Sequence, residues 1–200
     1  SHRLLIDWSL VRIQAEEFLR KKMRKDIFAI PIFEFEVDLK YINVPVNDED
    51  FSPTWESGVL TSFAAWENVL IPKSTYDYLS SKIAECLLTL KDPVTKISFD
   101  GIWKNKYGVN DFQGYHIHSN TTWSFIIYED VEESKTQFIN PSMNDIQNHS
   151  PLGESIDMPV KYIPKLKSGW MILFPSWLPH QVLPGNIGTT ISGNITVHVD

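Results

Sequence analysis

Residues 114–123 read GYHIHSNTTW and set two of the chain's six histidines, His116 and His118, one residue apart. In an extended strand, residues i and i+2 project from the same face, so the two imidazoles would stand side by side. Such a pair either holds a metal ion or simply faces water. A third histidine, His180, lies in SGWMILFPSWLPHQVLPGN (168–186). There a strand would begin after Gly169, reach Pro175 and deliver His180 from the following turn. Imidazole is a common ligand for iron, copper, nickel and zinc, and three protein ligands leave positions open for substrate. His116, His118 and His180 are therefore the candidate metal ligands. His2, His149 and His198 have no comparable surroundings in the sequence.

The runs on either side of these blocks indicate the fold class. KISFDGIW (96–103), TTWSFIIYED (121–130), KTQFIN (135–140) and TTISGNITVHV (189–199) are strand-like and separated by turn residues. Helical signals come earlier. SLVRIQAEEFLRKKMRKD (9–26) repeats apolar residues at helical spacing, and residues 74–90 place Leu79, Ile83, Cys86, Leu87 and Leu90 on one stripe behind a Ser74/Thr75 cap. Between them, IFAIPIFEFEVDL (27–39) alternates like a strand and NDEDFSPTWESG (47–58) reads as a loop. Helices first and strands later predict an α+β chain, mostly β, with an antiparallel sandwich or barrel. We expect one domain over 1–200: a helical extension (1–26), a strand with a supporting helix (27–95) and a β core with the metal site (96–200).

Composition narrows the function. A net charge of −7 argues against a general phosphate-backbone binder, which carries a basic face. No run approaches the roughly 20 apolar residues of a membrane span. One cysteine, Cys86, cannot form an internal disulfide and fits a reducing compartment, so a cytoplasmic location is expected.

WKNKYGVNDFQGYHIHSN (103–120), with Trp103, Tyr107, Asp111, Gln113, His116, His118 and Asn120, continues into Trp123, Ser124 and Tyr128. With GWMILFPSWLPHQVLP (169–184) and ISGNI (191–195), it resembles the iron core of 2-oxoglutarate/Fe(II) oxygenases, in a small bacterial and phage-encoded branch distantly related to prolyl hydroxylases. The likeness spans about residues 27–196. It implies a double-stranded β-helix, or jelly roll, backed by N-terminal helices. It also implies Fe(II), 2-oxoglutarate as cosubstrate, and hydroxylation with release of succinate and CO2. The prime substrate is open between a protein residue, a small molecule and a modified base, and a homodimer is an allowed assembly.

Two departures stand out. The family's usual H-x-D/E has His118 at its second position, so either three neutral imidazoles bind the metal or His118 points elsewhere. The family's arginine for the distal 2-oxoglutarate carboxylate aligns with Gly188, and the chain has no arginine after Arg24. Lys104, Lys106, Thr190, Ser192 and Asn194 are the candidate replacements. Trp103, Tyr107, Tyr115, Trp123 and Trp177 are the candidate substrate-pocket residues. Two competing readings are a cupin-like metal enzyme without 2-oxoglutarate, and a jelly roll that binds a ligand without catalysis.

Overall fold

The alternation of inward and outward side chains after residue 94 folds into two antiparallel sheets. The computed structural model describes residues 29–54, 56–90, 94–149 and 159–199, so the helix expected over 9–26 lies outside the described residues. The chain separates into two units, Ser1–Ile30 and Pro31–Asp200, and the site lies wholly in the second.

In chain order the strands are β1 (Phe33–Glu36), β2 (Ser52–Pro53), β3 (Leu60–Thr61), β4 (Val94–Tyr107), β5 (Gln113–His116), β6 (Trp123–Tyr128), β7 (Thr136–Ile139), β8 (Lys161–Tyr162), β9 (Trp170–Pro175), β10 (His180–Val182) and β11 (Gly188–Val199). One sheet runs β1-β9-β6-β11-β4-β3-β2 and the other β5-β10-β7-β8. Counting β4 to β11 as first to eighth, the two sheets contain the orders 1-8-3-6 and 2-7-4-5. That is the jelly-roll order, in which all but one of the successive connections cross between sheets. The expected double-stranded β-helix is the fold observed.

The larger sheet has two different faces. Ile102, Phe125, Ile127, Met171, Leu173 and Ile191 point away from the second sheet and pack with Leu79, Ile83 and Leu87 of helix α1 (Lys73–Leu87). Burying each such side chain contributes about 1.5–3 kcal/mol. The helix stripe matches the sequence pattern, with Cys86 and Leu90 at its margin. The cap does not match. The helix starts behind Pro72 without a side-chain cap, and Thr75 is buried instead. Its hydroxyl accepts from the Asn43 N–H (3.0 Å) and donates to the Tyr41 carbonyl (3.2 Å), satisfying a loop that would otherwise bury unpaired backbone groups.

One loop expectation is also corrected. Residues 47–58 include β2, which pairs with β3. After β7 the chain continues into a short helix, α2 (Met143–His149). Among the described residues, no helix is long and apolar enough to cross a membrane.

Candidate active site

Strand pairing brings the three histidines together. β5 and β10 are antiparallel neighbours, with His116 directly opposite His180. β5 ends at His116, but the His118 N–H donates to the Ser176 carbonyl (2.9 Å), in the turn after β9. The chain therefore stays extended, and the side chains that alternate with the histidines turn outward: Tyr115 is 60% exposed and Ile117 50%. The His116 and His118 rings lie 5.3 Å apart and nearly parallel, and His180 sits 4.3 Å from the first and 5.1 Å from the second. One ring nitrogen from each lies within 4.8 Å of the other two, an arrangement that can hold a metal ion.

Hydrogen bonds decide which nitrogen faces inward. His116 Nδ1 meets the Gly114 carbonyl at 2.7 Å, His180 Nδ1 meets the Leu178 carbonyl at 3.0 Å, and His118 Nδ1 meets Asn194 Oδ1 at 2.6 Å. A carbonyl oxygen only accepts, so each Nδ1 carries the proton and each Nε2 keeps its lone pair. Metal-bound histidines are held by their second nitrogen in the same way. Asn194 is itself braced by Ser124 (2.8 Å), whose hydroxyl also meets Ser176 (2.8 Å).

The surroundings favour the neutral form of His180 and His118. His180 is 2% exposed and packs edge-on against Phe174, 4.8 Å between ring centres. Burial, reinforced by the two neighbouring histidines, pushes its pKa well below the ordinary histidine value. Burial also lowers His118, opposed by its bond to Asn194. An unprotonated imidazole is the form that binds a metal.

The histidines open into a cavity between the two sheets. Trp103, Asn105 and Tyr107 of β4 and Thr190 and Ser192 of β11 line one side, with Gln113, Thr136 and Asn186 across from them. Gln113 and His116 share this face despite their odd spacing because the β5–β10 register shifts by one residue between them.

Of the predicted site residues, the three histidines, Trp103, Tyr107, Thr190 and Ser192 meet at the cavity. Asn194 shares their strand face but holds His118. Lys104 and Lys106 have the opposite parity and leave it. Lys104 pairs with Glu129 (2.7 Å), while Lys106 pairs with Asp48 (2.9 Å) and covers the Phe51 ring. Trp123 packs against Phe33 on the helix-covered side, and Tyr115 and Trp177 are over half exposed. Asn105, Thr136, Asn186 and Ser124 were missed. Strand parity pointed to Asn105, between Trp103 and Tyr107; nothing local marked Asn186.

A family model described as "Putative 2OG-Fe(II) oxygenase" matches residues 101–191, which hold all three histidines and the two sheet centres. The match takes in 91 of the chain's 200 residues, the stretch that carries the site. The oxygenase core resembles several solved structures at low identity. A prolyl-4-hydroxylase from Pseudomonas putida is 15% identical, over 98% of this chain and 89% of that one, at a TM-score of 0.45. A viral collagen prolyl hydroxylase from Paramecium Bursaria Chlorella virus-1, in complex with 2OG, is also 15% identical, over 71% and 80%, at 0.45. A 2OG-Fe(II) oxygenase family oxidoreductase from Burkholderia pseudomallei is 11% identical, over 95% and 78%, at 0.44. No curated protein matches the sequence.

This oxygenase departs from the arginine pattern for a local reason. Gly188 has φ +121°, and a Cβ there would come within 2.7 Å of Asp130 Oδ1. An L side chain rarely adopts that backbone, so no side chain is accommodated at the arginine position without rearrangement. Among the described residues, no lysine or arginine lines the cavity.

Proposed function

We propose that this 2-oxoglutarate-dependent dioxygenase holds Fe(II) through Nε2 of His116, His118 and His180. The reaction is hydroxylation of a substrate with release of succinate and CO2. The observation that carries the ligand assignment is the shared tautomer: each Nδ1 donates to an oxygen of its own surroundings, which leaves three convergent Nε2 lone pairs. Iron bound there would supply oxygen activation, coupled to decarboxylation of the 2-oxo acid and oxidation of a substrate C–H bond.

The chain's own residues bind, orient and exclude water. Asn194 and Ser124 fix the plane of the His118 ring. Phe174 and Phe138, 4.9 Å apart, wall His180 from solvent, and Trp103 covers His118 at 6.1 Å between ring centres. Their apolar surfaces keep the reacting end of the cavity dry. The candidates for the prime substrate are a protein residue, a small molecule and a modified base. We place the enzyme in the cytoplasm because its single cysteine fits a reducing compartment.

The cation-free cavity favours a second reading, a cupin-like metal enzyme that does not use 2-oxoglutarate. Anaerobic titration of the iron-loaded protein with 2-oxoglutarate separates the two. The oxygenase reading expects a saturable visible charge-transfer band, followed in air by succinate. Iron binding without a band or succinate would leave the cupin-like enzyme. Failure to bind iron would leave a ligand-binding jelly roll.

A further inference from the structure

We propose that Asn105 and Asn186 form a charge-free anchor for the distal carboxylate of the 2-oxo acid, an inference that rests on the oxygenase reading. Both side chains are 1% exposed and both line the cavity. Each has one buried polar atom without a hydrogen-bond partner among the described residues, Asn105 Oδ1 and Asn186 Nδ2. Buried polar atoms are rarely left unpaired because burial strips them of water. Two such atoms in the wall of one cavity point to a polar ligand.

The hydrogen bonds around them indicate its chemistry. The Lys135 backbone N–H donates to Asn186 Oδ1 (2.9 Å), so the free atom of Asn186 is the amide nitrogen, a donor. Asn105 faces the hydroxyls of Ser192 (3.1 Å) and Thr190 (3.4 Å). Hydroxyls donate as readily as they accept. The Asn105 amide can therefore turn over, giving its oxygen to the hydroxyls and its nitrogen to the cavity. Two residues lining one cavity then each have an amide N–H available to an acceptor-only partner, as a carboxylate is.

Position and charge agree with this. Thr190 pairs across the strands with Asn105 and stands four residues from Asn194, the support of His118. At roughly 3.3 Å per residue, about 13 Å of strand separates the two ends, room for a short carbon chain. With three neutral imidazoles, a divalent ion leaves a charge of +2, which a dianionic 2-oxo acid cancels. No guanidinium is needed for neutrality.

The test compares 2-oxoglutarate with 2-oxopentanoate, which lacks the distal carboxylate, by anaerobic calorimetry on Mn(II)-loaded protein. Asn186→Asp keeps the acceptor for the Lys135 N–H and turns an oxygen toward the ligand; Asn105→Asp does the same beside Thr190 and Ser192. Each variant should weaken 2-oxoglutarate by about tenfold or more, the loss of a charge-assisted hydrogen bond, and leave 2-oxopentanoate within about twofold. Equal losses for both acids, or none for either, would overturn the anchor. If the wild-type protein takes up Mn(II) but binds neither acid, the oxygenase reading falls, and the anchor falls with it.

Discussion

His118 is where residue-level chemistry can be tested most sharply, because two roles for it predict different numbers. If all three imidazoles bind iron, His116→Ala and His180→Ala each abolish iron binding, and His118→Ala weakens it by about tenfold or more. Unchanged affinity in the last variant would return His118 to a packing role beside Trp103. Asn194 gives an independent check through the ring's other nitrogen. Asn194→Leu removes the 2.6 Å partner of Nδ1 and should cost about 10–100-fold in metal affinity, the usual loss when the partner of a ligating histidine is removed. Metal titration of each variant reads the result directly, beside its thermal melt. The histidines were legible because H-x-H on a strand fixes direction and parity. The lysines misled because nearness to H-x-H says nothing about face, and Lys104 and Lys106 each stand one residue out of phase with the cavity. Asn194 had the correct face, but its partner, 76 residues away, is visible only in the fold.

At the scale of elements, the site depends on a sheet backed by a helix that does not line the cavity. Leu79, Ile83 and Leu87 of α1 cover the back of β4, β6, β9 and β11, whose front faces carry Asn105, Ser124, Phe174 and Asn194. Leu79→Ala leaves a cavity in that layer and should cost about 2–5 kcal/mol of stability in denaturant unfolding. Metal affinity at the front should change little under native conditions. The helix itself was readable from its stripe, and the strands from their alternation. The N-terminus of α1 was not, because Thr75 has the sequence of a cap but the burial of a core residue that satisfies Tyr41 and Asn43. The one-residue shift between β5 and β10 was equally hidden. A bulge leaves no mark on hydrophobic periodicity, yet it puts Gln113 and His116 on one face.

For the whole molecule, a metal ion held by the three histidines would join elements of both sheets. His116 and His180 belong to the smaller sheet, while His118 is tied through Asn194 to β11 and through Ser176 to the end of β9 in the larger one. One ion bound by all three therefore links the two sheets at the mouth of the jelly roll. Because the unfolded chain cannot hold the three nitrogens in place, binding adds to folding stability as RT ln(1 + [L]/Kd), about 2.7 kcal/mol at a free metal concentration of 100 Kd. Metal loading should accordingly raise Tm in a concentration-dependent way, and a chelator should return it to the starting value. The same titration on His116→Ala should show no increment, even where that variant melts close to the metal-free wild type. An equal rise in that variant would place the stabilising ion somewhere other than between the sheets.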